Sequence, residues 1–151
     1  MGPNNSLLQE IGAFVLAGAK EPGHLKEIAE MIRAGRDYRW VGIYKITRKE
    51  LIIVAGTGPN PPAYPRFPIT QGLCGAAAES RTTLVVGDVQ KDSRYLPTFG
   101  STQSEIVVPI ITERDRVAGV VAVESARLNA FDDEDRDFLE RAASLMARAL
   151  A

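Results

Sequence analysis

Two consecutive apolar stretches, residues 106–112 and 116–124, are separated only by Glu113-Arg114-Asp115. They restrict the folds open to this chain more than any other feature. Strands of a half-exposed sheet alternate apolar with polar side chains, whereas these are apolar at nearly every position. A hairpin of that kind has to lie inside a sheet that is covered on both faces. Helical periodicity supplies cover at each end of the chain. Leu7, Leu8, Ile11, Phe14 and Val15 form one stripe, with Ser6 as the expected N-cap. Phe138, Leu139, Ala142, Leu145, Met146 and Ala149 form another, in a helix starting near Asp132. A further helix is predicted over 24–34, with Leu25, Ile28, Ala29 and Ile32 on one face and Gly35 as its stop.

Between these helices, residues 40–46 set Trp40, Gly42, Tyr44 and Ile46 against Val41, Ile43 and Lys45, the alternation of a strand. Residues 51–57 are its antiparallel partner. Residues 56–68 contain two glycines and five prolines. Proline lacks the amide donor, so this stretch is expected to be loop rather than sheet. A short helix is expected over 72–79, a short strand over 83–86, and an irregular connection over 87–100. The order predicts an α+β fold: one domain spanning 1–151, ordered from about residue 6 to residue 150. It has a central antiparallel sheet of five or six strands, the N- and C-terminal helices on one face, and a loop-covered pocket on the other.

The formal net charge is −1, which gives no electrostatic case for nucleic acid or a membrane surface. No apolar run approaches the roughly 20 residues of a membrane span. The single cysteine cannot form an internal disulfide, and no basic-then-apolar leader is visible, so a cytoplasmic protein is expected. No metal or cofactor is expected. The stripes of the terminal helices, Leu7, Leu8, Ile11, Val15 and Phe138, Leu145, Met146, offer more apolar surface than one sheet face should absorb. That predicts a homodimer through them.

Four segments occur in a telling order: Trp40-Val41-Gly42-Ile43-Tyr44, Gly72-Leu73-Cys74-Gly75, Ser104-Glu105-Ile106-Val107-Val108-Pro109 and Gly119-Val120-Val121-Ala122-Val123-Glu124-Ser125. Over residues 7–150 the chain resembles GAF domains, and within that superfamily the free methionine-R-sulfoxide reductases. The resemblance implies a pocket in which aromatic side chains and carboxylates hold methionine sulfoxide. Carried over, Trp40, Tyr44, Glu105 and Glu124 line that pocket beside Cys74. The residues themselves are consistent with this. Trp40 and Tyr44 share one strand face, and each joins an apolar ring to a polar edge. Glu105 opens a strongly apolar strand, as a residue at a sheet edge or pocket rim would. Glu124 shares strand parity with Val120 and Ala122, whose small side chains leave room above the sheet.

The chain also departs from that family. The resemblance implies three cysteines, and only Cys74 remains; the others would fall at Tyr64 and Thr98. Where the family strand reads Asp-Ile-Asp-Ser, this chain has Ala122-Val123-Glu124-Ser125. Sulfoxide reduction needs a thiolate that attacks sulfur and a second thiol that resolves the sulfenic acid. Threonine and tyrosine supply neither. Cys74, placed before a short helix whose amides would lower its pKa, could act only with an external thiol such as glutathione. Three readings follow. The first is a sensory module that binds a small molecule, such as an amino-acid derivative, without catalysis. The second is a single-cysteine reductase, and the third a ligand-free dimerisation unit. Simpler readings stand beside them: Cys74 as a small buried hydrophobe, Trp40 and Tyr44 as core, Asp88 as a turn residue. Residues 129–134 read as a helix start rather than a nucleotide motif, and Arg33, Arg36, Arg39, Lys45, Arg48 and Lys49 as solvated surface.

Overall fold

Side-chain alternation in the central strands decides the architecture. The computed structural model describes residues 3–18 and 23–150. In chain order it contains α1 (Pro3–Gly18), α2 (His24–Arg36), β1 (Trp40–Thr47), β2 (Glu50–Thr57), β3 (Arg66–Pro68), α3 (Gly72–Ser80) and β4 (Leu84–Val86). A 3-10 turn at Val89–Lys91 follows, then β5 (Ser104–Ile111), β6 (Val117–Ser125) and α4 (Asp133–Leu150). The strands form a six-stranded sheet in the order β3-β2-β1-β6-β5-β4, antiparallel at every pairing. The doubly apolar hairpin is β5–β6. Strand β6 is central and β5 is interior, as its composition demands.

One face carries α1, α2 and α4. There Val41, Ile43, Ile106, Val108, Val121 and Val123 pack against Ile11, Ile28, Ile32, Phe138 and Met146. The other face carries α3 and the long loops. There Trp40, Tyr44, Val107, Val120 and Ala122 pack against Phe67, Leu73, Cys74 and Ala77. Strand β2 changes faces part-way. Ile43 pairs with Ala55 but Tyr44 pairs with Ile53, so Val54 is an extra residue, 40% exposed. This bulge turns Leu51 and Ile53 toward the loop side while Ala55 faces the helices.

Four expectations need correction. The proline-rich stretch is not all loop, because residues 66–68 form an edge strand in which Pro68 lies opposite Glu50. A proline at a sheet edge leaves no ladder donor missing. Ser6 lies inside α1 rather than at its cap. Gly35 does not stop α2; the helix continues to Arg36, and Asp37, with φ 57°, closes it through its amide on the Arg33 carbonyl. At Gly35 the side chain of Leu7 occupies the space a Cβ would need, so packing explains that glycine. Arg36 is not solvated surface. Its guanidinium donates to Asp135 Oδ1 at 2.6 Å, and Tyr38 Oη donates to the same oxygen at 2.7 Å.

Asp135 and Asp132 also cap α4 reciprocally: the Asp132 amide donates to Asp135 Oδ2 and the Asp135 amide to Asp132 Oδ1, each at 3.0 Å. Burial works to raise the pKa of Asp135. The Asp132 amide, Arg36 and Tyr38 outweigh burial and hold it below the usual carboxylate value. The network ties α2, the entry to β1 and α4 together. The terminal stripes are largely used up within the chain: Leu8, Ile11, Val15, Phe138 and Met146 are buried, and Leu7 and Leu145 half-buried. Of the positions on which the dimer expectation rested, Leu7 and Leu145 keep part of their apolar surface exposed.

Replacing Asp135 with alanine strands a half-buried guanidinium and removes a helix cap together. Asp135→Ala is expected to lower unfolding free energy by about 3 kcal/mol, read from the midpoint shift in urea denaturation.

Candidate ligand site

Strand register delivers the site. Trp40 on β1 lies opposite Glu124 on β6, Glu124 lies opposite Glu105 on β5, and Glu105 lies opposite Val86 on β4. The four residues form one row across the sheet, and Tyr44 stands farther along β1 opposite Val120. Because successive residues point to opposite faces, Trp40, Tyr44, Glu105 and Glu124 all face the loop side, under α3. Cys74 joins them as the third residue of α3 and is buried. The structure thus brings together all five residues singled out in the sequence.

The aromatic wall is built by close approach. The Trp40 indole lies across Gly42, where a Cβ would overlap the ring. It reaches toward Tyr44, with ring centroids 6.5 Å apart, and meets the edge of Phe99 at 5.1 Å. Phe67 of β3 closes on Tyr44 at 5.7 Å. Two loops form the lid and are hydrogen-bonded to each other, the Ala63 amide donating to the Thr98 carbonyl at 3.1 Å. From the second loop Thr102 Oγ1 donates to Glu124 Oε1 at 2.8 Å. Asp88 is a turn residue, its carboxylate accepting from the Gln90 amide.

Glu105 is 4% exposed and Glu124 2%. Glu105 is neither at a sheet edge nor in solvent. Burial, and then the charge of Glu124, pushes its carboxyl well above the ordinary value, and among the described residues no basic group offsets this. Burial likewise raises Glu124, and the neighbouring hydroxyls, led by Thr102, leave it at about 7. Cys74 goes the opposite way from the expectation based on helix amides. Burial, then Glu105 and Glu124, push its thiol well above the ordinary value. Two carboxyls and an apolar shell outweigh the amides of one short helix. All five residues of the site are buried. Two open clefts lie off it, one of about 340 Å³ between α3, β5 and α4, the other of about 730 Å³ beside Arg39 and Gly58.

A GAF domain family model matches residues 24–150. The chain belongs to the GAF domain family. It is 33% identical over 115 residues to the free methionine-R-sulfoxide reductase of Saccharomyces cerevisiae, covering 75% of this chain and 63% of that protein, less than two thirds of its length. It is 29% identical over 142 residues to GAF domain-containing protein A of Dictyostelium discoideum, covering 93% of this chain and 88% of the relative. Among solved structures, the free methionine-R-sulfoxide reductase of Neisseria meningitidis in complex with its substrate superposes with a TM-score of 0.88 at 28% identity, covering 97% of this chain and 87% of that one.

Sequence reasoning missed Tyr95, Phe99 and Thr102. All three come from a stretch without periodicity, and two aromatics in a polar loop were the available signal. Thr98 and Tyr64, at the positions of the absent cysteines, are both in the lid; Tyr64 is 43% exposed.

The carboxyl pair makes stability depend on pH with a definite sign. Both carboxyls titrate higher in the folded than in the unfolded chain, so folding takes up protons between about pH 4.5 and pH 7. The stabilisation is complete below the unfolded value and is lost as pH rises through about 7, the value of Glu124. Glu105→Gln removes one member of the pair. It is expected to be more stable than wild type at about pH 8 by on the order of 2 kcal/mol, with a smaller difference at about pH 5. Urea denaturation at the two pH values checks this.

Proposed function

We propose that this GAF domain binds a small zwitterionic amino-acid derivative of the methionine sulfoxide class beneath its lid, as a sensory module, and does not turn it over. The observation that carries the reading is the buried, directly opposed pair Glu105 and Glu124, with no basic partner among the described residues. Such a pair keeps one proton between two carboxyls near neutral pH. The ionised member accepts from an ammonium group, and the protonated member donates to an oxygen. The indole of Trp40 offers its face to an apolar or cationic body. The names of the relatives from Saccharomyces cerevisiae and Neisseria meningitidis support this ligand class.

Chemistry argues against turnover. Thr98 and Tyr64 supply no thiol, and Cys74 is held as the protonated thiol in a buried, acidic setting. The second reading, a single-cysteine reductase, is favoured by the activity those relatives are named for. In it the Cys74 thiolate attacks the sulfoxide sulfur and the S–O bond breaks. Methionine leaves as the thioether, and the oxygen, taking up a proton, remains on Cys74 as a sulfenic acid. Two external thiols then return it to the thiol with release of water.

Calorimetry with methionine and both methionine sulfoxide epimers tests binding. At least one sulfoxide epimer is expected to bind below about millimolar. Glu105→Gln should weaken it at least about ten-fold, or ~1.4 kcal/mol, opposite in sign to its effect on stability. Methionine production assayed separately with glutathione, dithiothreitol and thioredoxin is expected to be absent. Turnover that vanishes in Cys74→Ser establishes the reductase instead.

A further inference from the structure

Among the described residues, two buried side-chain polar atoms have no hydrogen-bond partner: His24 Nδ1 and Tyr95 Oη. The first lies in the helix layer, its ring against Phe14. The second lies at the candidate site. Tyr95 follows the 3-10 turn, and its amide is anchored on the Asp92 carbonyl at 3.1 Å. Its ring packs into the cluster that holds Trp40, Tyr44 and Cys74, beside Leu96 and Phe99. The charges of Glu124 and Glu105 both act on its hydroxyl, so the phenol stands near the carboxyl pair. Burial, and then the charge of Glu124, raise it; Thr102 and the Thr98 backbone lower it, Glu105 adds to the rise, and the balance leaves it at about 12, a neutral donor at physiological pH.

A buried donor without an acceptor is costly, and phenylalanine would place the same ring there without that cost. Glu124, Thr102 and the Thr98 backbone lie near enough to act on the hydroxyl, but none of them completes a hydrogen bond with it. Glu124 Oε1 already accepts from Thr102. Glu105 presents the complementary deficit, a buried carboxyl with no basic group beside it among the described residues. The two unmet needs are answered by one molecule that carries a donor at one end and an acceptor oxygen at the other. A thioether sulfur is a weak acceptor, whereas a sulfoxide oxygen is a strong one.

We infer that Tyr95 is the specificity-determining residue of this site. Its hydroxyl donates to an acceptor oxygen on the ligand, the S=O oxygen of a methionine sulfoxide, and so selects the oxygenated compound over the plain thioether. The inference rests on the ligand-binding reading above and adds the basis of selection. The discrimination comes from leaving a buried donor unpaired when the wrong ligand is bound.

The test compares L-methionine sulfoxide with L-methionine by calorimetry on wild type and Tyr95→Phe, alongside thermal melts without ligand. Wild type is expected to prefer the sulfoxide by at least about ten-fold. Tyr95→Phe should bind methionine as wild type does, lose at least about five-fold of that preference, and melt without ligand at the same or a higher temperature. An unchanged preference in Tyr95→Phe overturns the inference and leaves ligand binding intact. A variant that melts lower and loses both ligands equally assigns the hydroxyl to holding Glu124 in place and also overturns it. Failure of wild type to bind either compound overturns the ligand reading itself, and this inference with it.

Discussion

The loop-side site depends on the pairing of β1 with β6 and of β6 with β5. The three strands run antiparallel with Trp40 opposite Glu124 and Glu124 opposite Glu105. That register sends Val41, Val121, Val123, Ile106 and Val108 to the helices. It leaves Tyr44, Val120, Ala122 and Val107 on the side of α3 and the lid. A slip of one residue would drive both glutamates into the helix-packed core and turn valines outward, so the hydrophobic pattern itself holds the register. The row of Trp40, Glu124 and Glu105 is thus fixed by the same contacts that fold the protein.

Two buried carboxyls without a basic partner work against that fold. The apolar contacts around them hold the site together, and the site's own chemistry weakens it as pH rises. Trp40, Phe99, Phe67 and Tyr44 form a continuous aromatic wall over the sheet. The lid loops are joined to each other through Ala63 and Thr98. Charge repulsion and missing donors are features a ligand with an ammonium end would relieve, so occupancy and stability are coupled through the same two side chains. The same acidic, dry environment suppresses Cys74 as a nucleophile. Retaining the carboxyl pocket and activating the lone thiol are opposed demands here.

The helix layer shows the reverse economy of charge. Asp135 is also buried, yet it receives Arg36, Tyr38 and the Asp132 amide. Oδ1 is used for fixing α2 and the entry to β1 against α4, and Oδ2 for capping α4. The two faces treat their acid groups differently: one is well supplied with donors, the other is short of them.

Much of this was legible from residue order. The doubly apolar hairpin required a covered sheet, helical stripes named one covering layer, and strand parity put Trp40 with Tyr44 and Glu124 with Ala122. These are period-two and period-3.6 patterns, which local chain geometry imposes whatever the surroundings. The bulge at Val54, the edge strand at residues 66–68, the burial of Arg36 against Asp135 and the placing of Tyr95 and Thr102 over the carboxyls were not legible. Each depends on contacts between segments far apart in the chain, where no periodicity links the partners. The sequence by itself determined the layers and which residues face which way. Tertiary structure alone decided the protonation of the site. Burial and the opposition of Glu105 to Glu124 set those equilibria, and both arise only when β5, β6 and the lid come together.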